Sequence, residues 1–445
     1  MLTLSLACQQ AVERSRPVGR SSSIVVITID TLRADHLGSY GYFRDTSPNI
    51  DRVAEEGVLF ANVVTTMATT LPAHVSLWTS MYPVQTGVTR NGSKLAKNQK
   101  AGSDVLMFAQ MLRRLGYSTA AFVSATPVKK YTGIGVGFDI FDEPDVKRGG
   151  RSGTADATTD QVLQWLDSEP QKPFFLWVHY FDPHDPYRPP SPYDTSFSTT
   201  GELIQFLEQN EYPYPEDARV LNVNNLYDGE IQFVDSQIGR LVAALEESGL
   251  YETLTLVILS DHGEGLGQHG RIGHGEIFNE QLFVPLIIKF PESSGRAGQV
   301  VEEVVSLVDV VPTLVDVLDL PLSSEILEQF VGRNALSRRR PREYALAQRT
   351  THNRRGWGTA DKFALVGRDW KYTLETGHRD WLFDMRQDRP EISSIAHVEL
   401  EIQEDLRDRL LSELAVYSSS EQGFSVVEET SPEIVEELRA LGYLD

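Results

Sequence analysis

The chain has 445 residues, 41% of them hydrophobic and 23% charged, with 63 acidic against 41 basic side chains for a formal charge of −22. That length holds one large core with an appendage, or two to three domains, and the negative field argues against DNA or RNA as a partner. The one cysteine, Cys8, excludes an intrachain disulfide framework and a cysteine-based structural zinc site, and no stretch reaches the 18 apolar residues of a membrane helix.

Met1 to Ala7 (MLTLSLA) is apolar and runs into Cys8, followed by a polar, basic stretch to Ser23. A cysteine after a small residue fits the end of a lipoprotein signal, but the basic n-region is missing and the apolar run is short. Residues 1–22 are therefore expected to be a signal remnant or a disordered start. Periplasmic or envelope residence through a lipidated Cys8 and cytoplasmic residence both stay open.

From Ser23 the pattern alternates. Ile24 to Ile29 (IVVITI) is a continuous β-branched run, the mark of a strand buried on both faces. Ser47-Pro48 opens a short helix (PNIDRVAEEG) that ends at Gly57. Ser103 to Leu115 predicts an amphipathic helix, Thr119 to Val123 a strand, Ala157 to Leu166 a helix and Phe174 to Tyr180 (FFLWVHY) another buried strand. A long helix carries Ile231, Val234, Ile238, Val242 and Leu245 on one face and stops at Gly249. Leu254 to Leu259 and Val284 to Phe290 predict two more strands. Strand, helix, strand in this rhythm implies a mostly parallel sheet sandwiched by helices, an α/β fold.

Composition shifts after about residue 336, and the run Arg338 to Arg342 marks an exposed connection. Beyond it Phe363 to Val366, Trp370 to Leu374 and Trp381 to Asp384 predict short antiparallel strands, with two polar helices near Glu399 and Glu433. The organisation expected is a catalytic domain over 23–336 and a small C-terminal α+β subdomain over 343–445. Residues 189 to 217 are expected to form a loop that carries specificity.

Ligands of open parallel sheets bind at the carboxyl ends of strands. Asp30 ends the first strand. Asp261 and His262 end the Leu254 strand, with His269 and His274 beyond. His179 ends the Phe174 strand, with Asp182, His184 and Asp185 just after. One such carboxylate is commonly a helix cap; carboxylates and imidazoles at the edge of three strands together form a metal-site constellation. Thr70, in TTLPAH before a helical segment, puts a hydroxyl at a helix amino terminus, where the N–H groups and dipole favour an anion. Threonine needs a base or a metal to become a nucleophile. Arg33 and Arg90 are read as solvated loop arginines rather than phosphate contacts.

The motifs ITIDTLRADHLGSYGY, SPNIDRVAEEGVLF, TTLPAHVSLWTSMYP, HYFDPHDPY and LSDHGEGLGQHG resemble the sulfatase branch of the alkaline phosphatase superfamily from about Ile24 to Arg333, and RDWKYT and WLFDMRQDRPE resemble its C-terminal subdomain. The resemblance implies an alkaline-phosphatase-like fold, a metal held by Asp30, Asp261 and His262, Thr70 as the nucleophile, and His184 on the substrate's anionic group. The departures bear on mechanism. Sulfatases carry Cys or Ser in a C/S-x-P-x-R motif, matured to formylglycine, and a second Asp after the first; here Thr70, His74 and Thr31 stand at those places. Threonine cannot yield the aldehyde, and a threonyl sulfate lacks the hemiacetal collapse that expels sulfate. A threonyl phosphate can be cleaved by metal-assisted attack of water.

The segment around Thr70 also resembles nucleotide pyrophosphatase/phosphodiesterases, in the Thr-x-Pro-x-His order and the later Asn91. By that likeness Asn91 helps bind the oxyanion, His74 lies in the substrate site, and a second metal takes ligands among Asp182, His184, His269 and His274. The expectation is a metal-dependent hydrolase, or transferase, of phosphate esters and in particular phosphodiesters, working through a covalent Thr70 intermediate. The alternatives are sulfate-ester hydrolysis without formylglycine and an inactive binding scaffold. Histidine plus carboxylate ligands lean toward zinc or manganese over calcium or magnesium, as one or two ions. The expected substrate is a small-molecule, lipid or glycan ester, and oligomeric state is unreadable.

Overall fold

The computed structural model describes residues 22–96, 105–143, 153–339, 341–350, 361–418 and 425–427. Segment 1–21 with Cys8 and the expected helix near Glu433 lie outside the described residues.

A nine-stranded sheet forms the body. Its order is Phe283–Val284, Val58–Val64, Leu286–Lys289, Thr255–Ser260, Ile24–Ile29, Phe174–Tyr180, Ser118–Val123 and Ile140–Asp142, with Gln299–Ser306 pairing the outer side of Val58–Val64. The five strands from Thr255–Ser260 to the edge strand Ile140–Asp142 run parallel, and Leu286–Lys289 runs against its neighbours. The first strand is apolar but for Thr28 because both faces are covered. Ile24 and Val26 point into one core with helices Thr70–Thr79, Phe108–Arg114 and Val310–Val317. Val25, Ile27 and Ile29 point into the other, against Pro48–Glu55, Ala155–Asp167 and the long Ala218–Glu247 helix. Each such side chain contributes about 1.5–3 kcal/mol relative to exposure.

The second sheet, Ala345–Arg349, Lys362–Val366, Trp370–Glu375 and Trp381–Asp384, is antiparallel. Ala345, Ala347, Ala364 and Val366 pack on Val64, Ile277, Leu282 and Val304 of the body, while Leu346, Leu365, Tyr372 and Leu382 face Leu406 and Leu410 of helix Leu400–Ser418. The period of two thus divides this sheet between the body and the helix. Among the described residues no helix is long and apolar enough to cross a membrane.

Several local expectations change. The Val284 to Phe290 strand is two pieces, because Pro285 has no N–H to give the ladder; its carbonyl accepts the Ser260 N–H instead (3.3 Å). The helix expected from Ser103 begins at Phe108, since Met107 is extended and its N–H is taken by Gln110 Oε1 (3.0 Å). The 189–217 loop contains helix Gly201–Gln209, capped by Thr200 and anchored by the buried Leu203 and Leu207. Arg338 and Arg339 are exposed, but Arg342 is buried and grips Asp309 with Nε and Nη2 (2.7 and 2.6 Å).

Candidate active site

Register assembles the site. Ile29 lies opposite Tyr180 on one side and Ser260 on the other, so Asp30, Phe181 and Asp261, the residues next in each chain, leave the sheet side by side. Asp30 is tied there by its N–H to the Tyr180 carbonyl (2.9 Å). Thr31 follows at φ 59°, a left-handed conformation costly for a β-branched residue, and its N–H reaches Asp261 Oδ1 (3.3 Å).

The carboxylates are wholly buried, and most of their oxygens lack partners. Among the described residues neither oxygen of Asp30 accepts a hydrogen bond, and nor does Asp261 Oδ2. Asp261 Oδ1 takes the Thr31 and His262 N–H groups (3.3 and 2.8 Å). The His262 Nδ1–H donates to the Gly263 carbonyl (3.0 Å), which leaves the Nε2 lone pair facing Asp30 Oδ1 (3.6 Å), Asp261 Oδ2 (3.5 Å) and Thr70 Oγ1 (3.5 Å). Burial pushes Asp30 well above the usual carboxylate range, with Asp261 and Glu264 adding repulsion; it lifts Asp261 to about 6 and depresses His262 to about 4. Two carboxylates and a neutral imidazole whose ligand atoms lie within 4.8 Å of one another are an incomplete set: uncompensated buried charge is costly, and one divalent cation among them would compensate it. The donor set fits a metal.

Thr70 opens helix Thr70–Thr79, all of whose residues are buried. The N-cap is Thr69, so the Thr70 hydroxyl is not occupied in capping and faces His262. One turn on, His74 Nδ1–H donates to the Thr70 carbonyl (2.8 Å) and Nε2 faces Thr28 Oγ1 (3.2 Å), which already accepts the Trp177 indole N–H (2.9 Å). Proton accounting makes the Thr28 hydroxyl the donor to His74, whose two nitrogens are thus engaged inside the protein behind Thr70. Burial lowers its pKa, and it stays neutral. The Asn91 side-chain oxygen accepts the Leu71 N–H (2.9 Å), while its buried amide Nδ2 has no partner.

His184 Nδ1–H donates to the Asp185 carbonyl (2.6 Å), and His274 Nδ1–H to the Ala68 carbonyl (3.2 Å). Their Nε2 atoms face each other at 3.1 Å, an arrangement of two lone pairs that calls for a proton or a cation between them. The His274 ring also lies against His262, at 4.3 Å between centroids. The other expected second-ion ligands do not join them. Asp182 Oδ2 accepts the Ala155 N–H at the start of the Ala155–Asp167 helix (2.9 Å). His269, turned by a left-handed φ of 53°, stacks on Phe278 and pairs with Glu280 (3.1 Å) beside a separate cavity of about 560 Å³. Arg33 is buried and forked onto Asp35 (2.9 and 2.6 Å).

Two further groups adjoin the cluster: His179, placed at the strand edge from sequence but given no role there, and Glu264, which was not singled out. His179, buried with both nitrogens unpartnered, stands 4.0 Å from Asp30 Oδ2 and is held neutral by burial. Glu264 is buried beside the cluster, and burial pushes it up to about 8. Its place in DHGEG, two residues past His262, was the available signal.

The sulfatase family model matches residues 22–320. The multifunctional alkaline phosphatase superfamily protein PehA of Trinickia caryophylli is 25% identical over 386 residues, 66% of this chain and 73% of that one. Among solved structures, the putative sulfatase yidJ of Bacteroides fragilis superposes with a TM-score of 0.75 at 17% identity, over 99% and 100% of the two chains. The phosphonate monoester hydrolase of Agrobacterium radiobacter gives 0.69 at 21% identity, over 89% and 96%; these two likenesses are of fold. The chain belongs to the sulfatase family, whose members are ester hydrolases.

Proposed function

We propose that the protein is a metal-dependent phosphodiesterase working by double displacement at Thr70. One observation carries the reading: a hydroxyl that caps nothing faces, at 3.5 Å, an imidazole set among carboxylates that the protein itself leaves without counter-charge. Asp30, Asp261 and His262 would hold the cation, with the unpartnered Thr31 hydroxyl beside them. Once bound, a zinc or manganese ion supplies Lewis acidity and lowers the pKa of a coordinated hydroxyl.

The chain's own groups do the rest. Thr70 Oγ1 attacks phosphorus and the ester alcohol departs; water, or an acceptor alcohol, then attacks the same phosphorus and returns the threonine. The Asn91 Nδ2–H meets an equatorial oxygen, and its position is set by the Leu71 backbone before substrate arrives; His184, oriented by the Asp185 carbonyl, meets another only through a proton or cation held between its Nε2 and that of His274. His74 holds the Thr70 backbone rather than the substrate. Threonine in place of formylglycine is what favours phosphorus over sulfur. Sulfate-ester hydrolysis remains the second reading, supported by the family and by relatives such as the arylsulfatase of Clostridium perfringens.

The test is turnover of bis-p-nitrophenyl phosphate beside p-nitrophenyl sulfate with added zinc or manganese, and Thr70→Ala as control. Diester cleavage lost in the variant supports the proposal. Sulfate cleavage in the wild type with the diester untouched transfers it to the second reading, and metal-free protein inert on both supports a binding scaffold.

A further inference from the structure

The sheet gives the site depth as well as an edge. Asp30 and Asp261 lie just past the ends of their strands, and two residues back in each chain the register sets Thr28 between His179 on one side and Leu259 on the other. Alternation puts His179 on the same face as Phe175 and Trp177 of its own strand. Those two residues, with Val257 and Leu259, pack in the core that helix Thr70–Thr79 covers. His179 thus lies one layer beneath the two aspartates, as the floor of the cluster.

Its surroundings are those of a ligand. The side chain is wholly buried, and neither nitrogen has a partner among the described residues. Nε2 lies 4.0 Å from Asp30 Oδ2, and a ring nitrogen lies within 4.8 Å of an Asp261 carboxylate oxygen. The neighbouring His74 ring, 4.9 Å away between centroids, has its nitrogens engaged with the Thr70 carbonyl and the Thr28 hydroxyl. A separation of 4.0 Å is too long for a hydrogen bond. It suits two ligands of one ion, because donors about 2.1 Å from a metal stand up to about 4.2 Å apart. The distances from His262 Nε2 to Asp30 and Asp261, 3.6 and 3.5 Å, fall within the same limit.

We infer that His179 is a further ligand of the cation, through Nε2, so that the ion is held by two carboxylates and two imidazoles. The inference rests on the metal reading above and adds to it a fourth protein ligand and a class of ion. The two buried carboxylates already balance one divalent charge, and a neutral imidazole adds a donor without adding charge. Thr31 stands where sulfatases carry a second aspartate, and His179 supplies a ligand from the neighbouring strand instead. A second nitrogen donor favours zinc over calcium or magnesium.

X-ray absorption of the protein loaded with one equivalent of zinc tests this without turnover. The wild type is expected to show scattering from two imidazole rings, and His179→Gln and His262→Gln from one each. A double variant, His184→Ala with His274→Ala, should keep two rings, which separates this site from the facing pair of histidines. Calorimetry should show zinc affinity falling more than about a hundredfold in His179→Gln, beyond what a residue that only orients a ligand costs. One ring in the wild type, or two retained in His179→Gln, overturns the inference and leaves His179 as a core side chain. If His179→Gln does not fold, the double variant decides: two rings sustain the inference, and one or none overturns it. Zinc that fails to bind the wild type at all overturns the metal reading itself.

Discussion

Two wholly buried groups of aspartate and histidine sit in the same body with opposite states of completion. On the long helix, Asp228 receives His36 Nδ1 (2.7 Å), Arg44 Nη1 (2.6 Å) and the Tyr42 hydroxyl (2.7 Å). Its charge is met by a cation and its oxygens by donors, and the result pins the 36–44 loop to the helix. At the carboxyl edge of the sheet, Asp30, Asp261 and His262 are the same residue types at the same burial, with no cation and three unpartnered oxygens. Composition does not separate the two groups. Partner accounting does: a fold that satisfies one buried carboxylate and starves another has left the second for a ligand.

Four substitutions break or sharpen that contrast. Thr70→Ala should lower turnover at least about a thousandfold, as loss of a nucleophile does, with a denaturant midpoint unchanged because the hydroxyl makes only one long contact. A variant retaining a tenth of the rate would remove Thr70 from the chemistry. Asp228→Ala strands Arg44 without its counter-charge and His36 Nδ1 without its partner and should cost about 3–5 kcal/mol in urea unfolding; a loss below 1 kcal/mol would show that the group is not the tie described.

Asp30→Asn should act in the opposite direction on the metal-free protein. Removing a starved charge is expected to raise stability by about 1–3 kcal/mol, and the same change should abolish the rise in melting temperature that zinc or manganese gives the wild type. A metal-free variant less stable than its parent contradicts the account of the cluster. Smallest is Thr31→Gly, which relieves the left-handed backbone and should gain about 1 kcal/mol without metal while weakening metal affinity. Calorimetric titration of the ion reads the second effect, and unchanged affinity takes the Thr31 hydroxyl out of the site.

Much of the architecture was legible because burial on both faces writes an unbroken apolar run: IVVITI and FFLWVHY are central parallel strands, and Asp30 and Asp261 follow directly from where such runs stop. Val58–Val64 and Gln299–Ser306 were not read as strands. They lie toward the sheet's edge, where Asn62, Glu302 and Glu303 meet solvent or the rim, so their apolar pattern is interrupted. At the site, spacing grouped His269 with His274, yet a single left-handed residue turned His269 away onto Phe278 and Glu280. His179 was visible at its strand end but was given no role of its own, because inside an apolar strand one imidazole looks like core filler until its two nitrogens are found without partners among the described residues.

The loop that presents His274 is held from the far end of the chain. Lys371, buried in the second sheet, bonds Asn279 Oδ1 (3.1 Å) and pairs with Glu391 (2.6 Å), and Glu391 in turn accepts the Asn279 N–H (2.6 Å). During synthesis on the ribosome the segments that carry Asp30, Thr70 and Asp261 therefore emerge long before the residues that fasten His274 beside them. A nascent chain therefore holds Thr70 early, and the ties that fasten the loop of His274 can form only after residue 391 is made.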